Sequence, residues 1–256
     1  MKDDLGDRMK EWYENRYRFY LPRRTYTILR IDGKAFHTWT RGLERPFDQE
    51  FQTLMDETAK TACSQIQGAA CAFVQSDEAS FLLMDFDPKG EKLTTAGWFD
   101  GNVQKICSVG ASLFTAHFNA TASERPPAMF DARVFIIPDP VEVHNYFVWR
   151  QKDAVRNSIQ AAAQSFYSDK ECFGKSQSDL QEMIFKKGQN WNDYSVRSKR
   201  GGFVYYDKTK TQGSAINKKT GDEIMFERPK GWSVMPAVPI FTSDEGVNLL
   251  KSTMGR

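Results

Sequence analysis

The stretch "FVQSDEASFLL" (73–83) sets two adjacent carboxylates, Asp77 and Glu78, among Phe73, Val74, Phe81, Leu82 and Leu83, side chains that belong inside a β-sheet. Neighbouring carboxylates repel each other and are costly to desolvate, so something must compensate them. A hairpin turn that leaves both acids in water is one answer, and a bound cation is another. A further acid ends the run "RTYTILRIDG" (24–33), whose alternation reads as a strand stopping at Asp32-Gly33. Strand geometry sends Arg30 and Asp32 to one face and Leu29 and Ile31 to the other. If the strand end and the hairpin are neighbours, Asp32 and Asp77 meet across two strands. Oxygen donors with no Cys or His nearby suit hard Mg²⁺, and a magnesium pair held this way serves phosphoryl transfer. In "DGKAFHTW", Gly33, Lys34 and Ala35 form a tight turn whose backbone N–H groups can cradle phosphate, with Gly33 allowing close approach and Lys34 adding charge. An Asp-Gly pair alone marks only a turn.

The elements that must position these residues are legible from periodicity. After the first strand, "FDQEFQTLMDETAKTACSQI" (47–66) repeats Phe51, Leu54, Met55, Ala59, Ala62 and Ile66 at helical spacing, with Asp48 ready to cap it. "AACAFVQSDEASFLLMDF" reads as a hairpin bending near Ser76–Ala79. A second helix within 98–119 carries Phe99, Val103, Ile106, Gly110 and Leu113, and His117 continues that stripe as a helix-end core residue. "MFDARVFIIPD" (129–139) is one more strand, ended by proline. The order β-α-β-β-α-β is the split βαβ of ferredoxin-like folds. A third helix, roughly 141–167, buries Val155, Ile159, Ala162 and Phe166, and Trp149 reads as core. Arg150, Asp153 and Asn157 share its other face, where Arg150 and Asp153 can form an i,i+3 pair. Short strands and loops are expected from 168 on.

A chain of 256 residues with 27% charged and 13% aromatic residues is globular rather than disordered. The formal net charge is only +2, yet residues 186–232 hold eleven Lys/Arg against five Asp/Glu. Such a segment is either a footprint for nucleic-acid phosphates or a solvated surface. The four cysteines, Cys63, Cys71, Cys107 and Cys172, have no CxxC spacing and follow no signal peptide, which fits a reducing cytoplasm and argues against zinc or a disulfide framework. No apolar run approaches the roughly 20 residues of a membrane span. No Ser-His or Cys-His constellation suggests a side-chain nucleophile.

Taken together, "RIDGKAFHTW", "RPFD" (45–48), "QSDEASFLL", "WFDGNVQKICSVGAS" and "WRQKDAVRNSI" (149–159) resemble the tRNA-histidine guanylyltransferase superfamily, which includes the Thg1-like reverse polymerases that extend RNA in the 3′→5′ direction. The resemblance runs from "DRMKEWYE" to about residue 205. It implies an α+β polymerase-like palm built on the split βαβ sheet. The palm and an N-terminal helix would occupy 1–140. A C-terminal helix and basic extension, 141–256, would pack on the palm as one unit. It implies two Mg²⁺ ions held by Asp32, Asp77 and the Gly33 carbonyl, with Glu78 supporting the catalytic site. Lys34, Ala35, Phe36 and His37 match the turn that holds a nucleotide triphosphate. Arg45, Ser76 and Asn157 match polar residues around the activating nucleotide, Arg45 standing where the family often has Lys. Lys199 and Arg200 are the expected RNA contacts.

The implied partners are tRNA, with ATP, GTP or other nucleoside triphosphates, in a cytoplasmic homotetramer. Val155 stands where the histidine-specific branch carries the His of "HINNLYN". That departure favours templated repair of 5′-truncated tRNAs over strict addition of one guanylate to histidine tRNA. A non-catalytic RNA-recognition module on the same sheet is the alternative of a different class, and it requires exposed aromatics on the central strands.

Overall fold

Strand β1 (Tyr26–Gly33) is the spine of the sheet, antiparallel to β3 (Glu78–Met84) on one side and to β4 (Phe130–Ile137) on the other. Beyond β3 lie β2 (Ala69–Gln75) and then a long hairpin of β5 (Gly202–Ile216) and β6 (Glu223–Val234). The six-stranded order is β4-β1-β3-β2-β5-β6, with every neighbouring pair antiparallel. The first four strands are the expected β-α-β-β-α-β unit, with α3 (Gln49–Gln65) and α4 (Val103–Thr121) as its connections. This computed structural model describes residues 4–88, 96–216, 221 and 223–255.

The alternation of each strand sorts its side chains between two cores. Leu29, Ile31, Ala79 and Phe81 pack under α3 and α4 with Met55, Ala59, Phe114 and Phe118. Ile28, Leu82, Cys71 and Phe73 face α5 (Pro140–Gln164), where Tyr146 and Phe147 join Phe241 and Leu250 of the C-terminal segment and α9 (Asp244–Thr253). Central strands covered on both faces expose no aromatic platform of the kind an RNA-recognition module uses. The helix starts follow from their caps. Asp48 accepts from the Phe51 N–H at 2.8 Å, Asn102 from the Lys105 N–H at 3.0 Å, and Asp139 from the Val141 N–H at 2.7 Å. Pro140 then opens α5, where its missing N–H costs nothing.

Several expectations are corrected. Residues after 168 are not mainly short strands and loops. They form α6 (Asp169–Cys172), α7 (Gln177–Lys186) and α8 (Val196–Arg200), and then a hairpin whose strands are 15 and 12 residues long. The weak periodicity of those strands reflects a hairpin whose outer half is exposed on both faces. Phe99 precedes the second helix in a 3₁₀ turn, is exposed, and has a left-handed φ of 49°. Trp149 is not core: it is 52% exposed. Phe166 lies past the end of α5 and is 39% exposed. His117 is half-buried, its Nε2 2.7 Å from the Gln65 amide nitrogen. Helices α1 (Asp4–Trp12) and α2 (Phe36–Trp39) complete the fold. Among the described residues no helix is long and apolar enough to cross a membrane, and all four cysteines are free.

Candidate active site

Asp32 and Glu78 face each other across β1 and β3, so both side chains lie on the α5 face of the sheet. The β2–β3 bend is Ser76-Asp77, and the Gly33 N–H donates to the Asp77 carbonyl at 3.1 Å. That bond joins the hairpin tip to the end of β1 and brings Asp77 beside Asp32, as their spacing suggested. Gly33 is required there: a Cβ would sit 2.2 Å from the Phe36 ring and 2.8 Å from Asp77 Oδ2. Two non-glycine residues flank the site in left-handed conformation, Ala35 (φ 55°) and Ser76 (φ 45°). Each such residue stores roughly 1–2 kcal/mol of backbone strain.

The electrostatics of the two adjacent acids differ. Burial pushes the Asp77 carboxyl up to about 6, and the nearby Asp32 and Glu78 carboxylates push the same way, against hydrogen bonds from its own backbone and the Ser76 side chain. Burial also raises Glu78, but two guanidiniums pull against it. Arg150 donates Nε to Oε1 at 2.8 Å and Nη2 to Oε2 at 2.7 Å, while Arg30 Nε lies 3.9 Å from Oε2. Arg150 also donates to Asp153 at 2.9 Å, so the expected i,i+3 pair exists inside a larger network. Glu78 thus braces the sheet against α5, with both oxygens occupied by Arg150. Asp32 has a longer contact, 3.5 Å, with the half-exposed Arg133.

Beside Asp77 opens a pocket of about 470 Å³ between the loop after α2, α5 and α8. Four of the expected nucleotide-binding residues line it: His37, Arg45, Ser76 and Asn157. Its wall is tied by Arg197 of α8, which donates to Asp56 of α3 through Nε at 2.7 Å and Nη2 at 2.9 Å. Lys34 and Ala35 are exposed on the turn next to the carboxylates. Phe36 is instead 4% exposed and packs on Trp39, Phe51, Phe118 and Phe130, so its side chain anchors the turn and only its backbone is available to a ligand. Lys199 and Arg200 are half-buried in α8. The Lys199 ammonium is bound to the Asn192 carbonyl and lies 5.5 Å from the Trp191 ring. The exposed cations of the basic segment are Lys186 and Lys187 at the end of α7 and Lys208, Lys210, Arg228 and Lys230 on the hairpin, and Lys218 and Lys219 lie outside the described residues. Val155 packs toward α7 with Ile159, Leu180 and Ile184.

Sequence reasoning missed the Arg150–Glu78 and Arg197–Asp56 pairs, whose members are 72 and 141 residues apart, because no local spacing signals them. It also missed Gln75, which is 4% exposed, lines the pocket and donates weakly toward Glu78 and Asp153 at 3.5 Å. Adjacency to Ser76 was the available signal for it.

Among the described residues no group of three or more His, Cys, Asp or Glu stands together as a metal cage. Magnesium does not need one, since it commonly takes one or two carboxylates plus waters and substrate phosphates. The donors present fit it: Asp32 and Asp77 are hard oxygen ligands, and Asp77 is an under-compensated buried acid above a cradle that a Cβ at Gly33 would fill.

The sequence profile of the Thg1, or tRNAHis guanylyltransferase, family matches residues 6–138. A tRNA(His) guanylyltransferase of Debaryomyces hansenii is 29% identical over 84% of this chain and 86% of its own. A bacterial tRNA(His) guanylyltransferase (Thg1)-like protein, solved in complex with ATP, superposes with a TM-score of 0.81 at 38% identity, covering 98% of this chain and 99% of that one. A bacterial Thg1-like protein in complex with GTP superposes with a TM-score of 0.78 at 39% identity and the same coverage. The Saccharomyces cerevisiae enzyme, at 23% identity and a TM-score of 0.64, shares the fold. Enzymes of this family add nucleotides to the tRNA 5′ end and are generally metal-dependent. The chain therefore belongs to the tRNAHis guanylyltransferase family and is a nucleotidyltransferase.

Proposed function

We propose that this enzyme activates the 5′ end of tRNA with ATP and then adds nucleotides in the 3′→5′ direction under the template of the opposite strand, repairing 5′-truncated tRNAs. The observation that carries this reading is the 470 Å³ pocket, lined by His37, Arg45, Ser76 and Asn157, that opens next to Asp77. It has room for a nucleotide beside the carboxylates where its phosphates would react. Relatives of known structure hold ATP or GTP, which supports a nucleoside triphosphate as occupant.

In the first step the RNA 5′-monophosphate attacks the α-phosphate of ATP, and pyrophosphate leaves. In the second, the 3′-hydroxyl of the incoming nucleotide attacks the adenylylated 5′ phosphate, and AMP leaves. Two Mg²⁺ ions, when bound, neutralise phosphate charge and lower the pKa of the attacking hydroxyl. Asp32, Asp77 and the Gly33 carbonyl are assigned to hold them. Ser76, Asn157 and Arg45 position the activating nucleotide, and Lys34, with the backbone of Ala35, Phe36 and His37, holds a triphosphate. Glu78 acts at one remove, by fixing β3 and α5. Arg200 is assigned to the RNA side together with the hairpin cations, whereas Lys199, expected there from the sequence, has its ammonium engaged by the Asn192 carbonyl and the Trp191 ring. Free cysteines fit a cytoplasmic enzyme, and a homotetramer is the proposed assembly.

Val155 supports repair over strict guanylate addition. It packs among apolar side chains of the α7 cluster, where a valine offers shape and no polar group to read a particular tRNA. The names of the curated relatives favour the second reading, a single guanylate added to histidine tRNA. A competition decides between them, pairing a non-histidine tRNA lacking its first nucleotide with full-length histidine tRNA at equal concentration. Preference for the truncated tRNA supports repair, and preference for full-length histidine tRNA overturns it. Absence of pyrophosphate release with ATP, Mg²⁺ and 5′-monophosphorylated tRNA would overturn both.

A further inference from the structure

We infer that Trp149 is a stacking platform for the terminal nucleobase of the RNA acceptor end, set beside the Asp32–Asp77 pair. The inference takes its substrate class from the function proposed above; its geometry is independent of it. Trp149 lies in the middle of α5, yet its side chain is 52% exposed. Tryptophan is highly buried on average, so a half-exposed one in the middle of a helix is unusual. The Arg150 guanidinium carbon lies 4.4 Å from the ring centroid, and Tyr146 meets the ring at 5.8 Å and 65°.

Both neighbours are locked. Arg150 holds Glu78 through two hydrogen bonds of 2.8 and 2.7 Å. The Tyr146 hydroxyl lies 2.8 Å from Ser80 Oγ, which donates to Glu78 Oε1 at 3.2 Å. Trp149 is thus braced by the residue that faces Asp32 across the sheet. A platform held by a buried network needs no ordering when a base arrives.

Helix geometry gives its direction. Successive side chains on α5 are about 100° apart, so Trp149 and Gln151 project from opposite flanks of the face that carries Arg150. Gln151 points to the C-terminal segment, donating to the Pro239 carbonyl and accepting from the Phe241 N–H, both at 2.8 Å. Phe241 of that segment packs on Phe73 of β2 and Phe203 of β5, at ring distances of 5.5 and 5.9 Å. Trp149 therefore faces the β1–β4 side, where its neighbour Tyr146 packs on Phe135 of β4 and where Asp32, Asp131 and the half-exposed Arg133 lie together. Arg133 offers a cation for phosphate there, next to a free aromatic face for the base. Stacking on an aromatic ring is tolerant of base identity, because every base has a π-face. That is the recognition a templated repair enzyme needs at a 5′ end whose sequence varies.

The test uses a tRNA acceptor duplex with 2-aminopurine as the 5′-terminal nucleotide, whose fluorescence is quenched by stacking, titrated with the full-length protein without ATP or metal. Wild type should quench it, Trp149→Ala should not, and Trp149→Phe should retain most of the effect, with all three proteins melting alike. In turnover, Trp149→Ala should raise the KM for 5′-monophosphorylated tRNA roughly ten-fold, within the range of a base–aromatic stack, and leave the KM for ATP unchanged. Equal quenching by wild type and Trp149→Ala, or none by wild type, overturns the platform. So does a defect confined to the nucleotide KM, which would place an incoming nucleotide on the ring. Dissociation of the assembly in Trp149→Ala, read by sedimentation, would show the ring covered by a second copy and overturn it too. A wild type that quenches yet releases no pyrophosphate would leave the platform standing and remove the proposed function.

Discussion

Asp77 and Glu78 are consecutive in the chain, yet they meet opposite electrostatic surroundings. Glu78 enters the sheet with both oxygens bound by Arg150 and with Arg30 at 3.9 Å. Asp77 stays at the hairpin tip, close to Asp32 and Glu78, its carboxyl raised to about 6 by burial and by those like charges. The chain supplies the counter-charge for one acid and leaves the other short of it. A carboxylate neutralised internally is a structural brace, whereas a buried one left short is where an external cation gains most. The two acids therefore belong to different functions, and changes at each should fail differently.

The largest effect is expected at the under-compensated pair. Asp32→Ala and Asp77→Ala should each lower adenylylation and nucleotide addition roughly a thousand-fold or more, the several kcal/mol that metal-assisted charge stabilisation supplies. Neither should lower the melting temperature, since removing one of two close carboxylates relieves repulsion. Turnover near wild type in either variant would end the metal assignment.

Breaking the brace should cost stability first. Arg150→Met leaves Glu78 buried without its partner, a loss of about 3–5 kcal/mol. Adding Glu78→Gln should recover a large part of it, because the uncompensated charge is then gone. Denaturant midpoints of the two single variants and the double variant measure this. If the double variant is as unstable as the sum of the singles, Arg150 stabilises by packing rather than by neutralising Glu78.

This contrast was only half legible in the sequence. The alternation of "YTILRIDG" and "FVQSDEASFLL", with Asp48, Asn102 and Asp139 as caps, marks the strands and helix starts, because those signals are local. The meeting of Asp32 with Asp77 followed from sheet order alone. Spacing carries nothing about which acid keeps its own cation, since Arg150 reaches Glu78 across 72 residues. The helical pattern misplaced Trp149 as core because an exposed aromatic and a buried one look identical in a string of letters. From 168 on, the short α6, α7 and α8 helices and a hairpin exposed on both faces carry too weak a period to read.

The pH dependence of stability sharpens the same contrast. The Asp77 carboxyl has an ordinary value of 3.8 and about 6 in the folded protein. Between those values the folded state holds more protons than the unfolded one, so stability falls as pH rises through that window. The loss is complete above about pH 6 and on the order of 2–3 kcal/mol without metal. Asp77→Asn should remove this slope, leaving the variant more stable than metal-free wild type at pH 7, and Mg²⁺ should narrow the gap by binding wild type alone. Parallel stability curves for the two proteins between pH 4 and 8 would show that Asp77 is already compensated from within.

The smallest effect carries the comparison over to the cations. Lys199 resembles Glu78 in that its charge is already engaged, by the Asn192 carbonyl and the Trp191 ring. Lys208 and Arg228 resemble Asp77, standing exposed on the β5–β6 hairpin. Cations that neutralise RNA phosphates release counterions, and each contact removed should reduce the slope of log affinity against log salt by about 1 or slightly less. Lys208→Gln and Arg228→Gln are expected to do this, with tRNA affinity weakened uniformly across sequences and the KM for ATP unchanged. Lys199→Gln should leave the salt slope in place and instead lower stability by about 0.5–1 kcal/mol, the scale of an exposed cation–π contact. The measurement is tRNA binding between 50 and 300 mM salt, roughly the range in which counterion release is resolved. A slope that drops for Lys199→Gln and not for the hairpin variants would reverse the assignment, placing the RNA along α8 and making the hairpin cations a solvated surface.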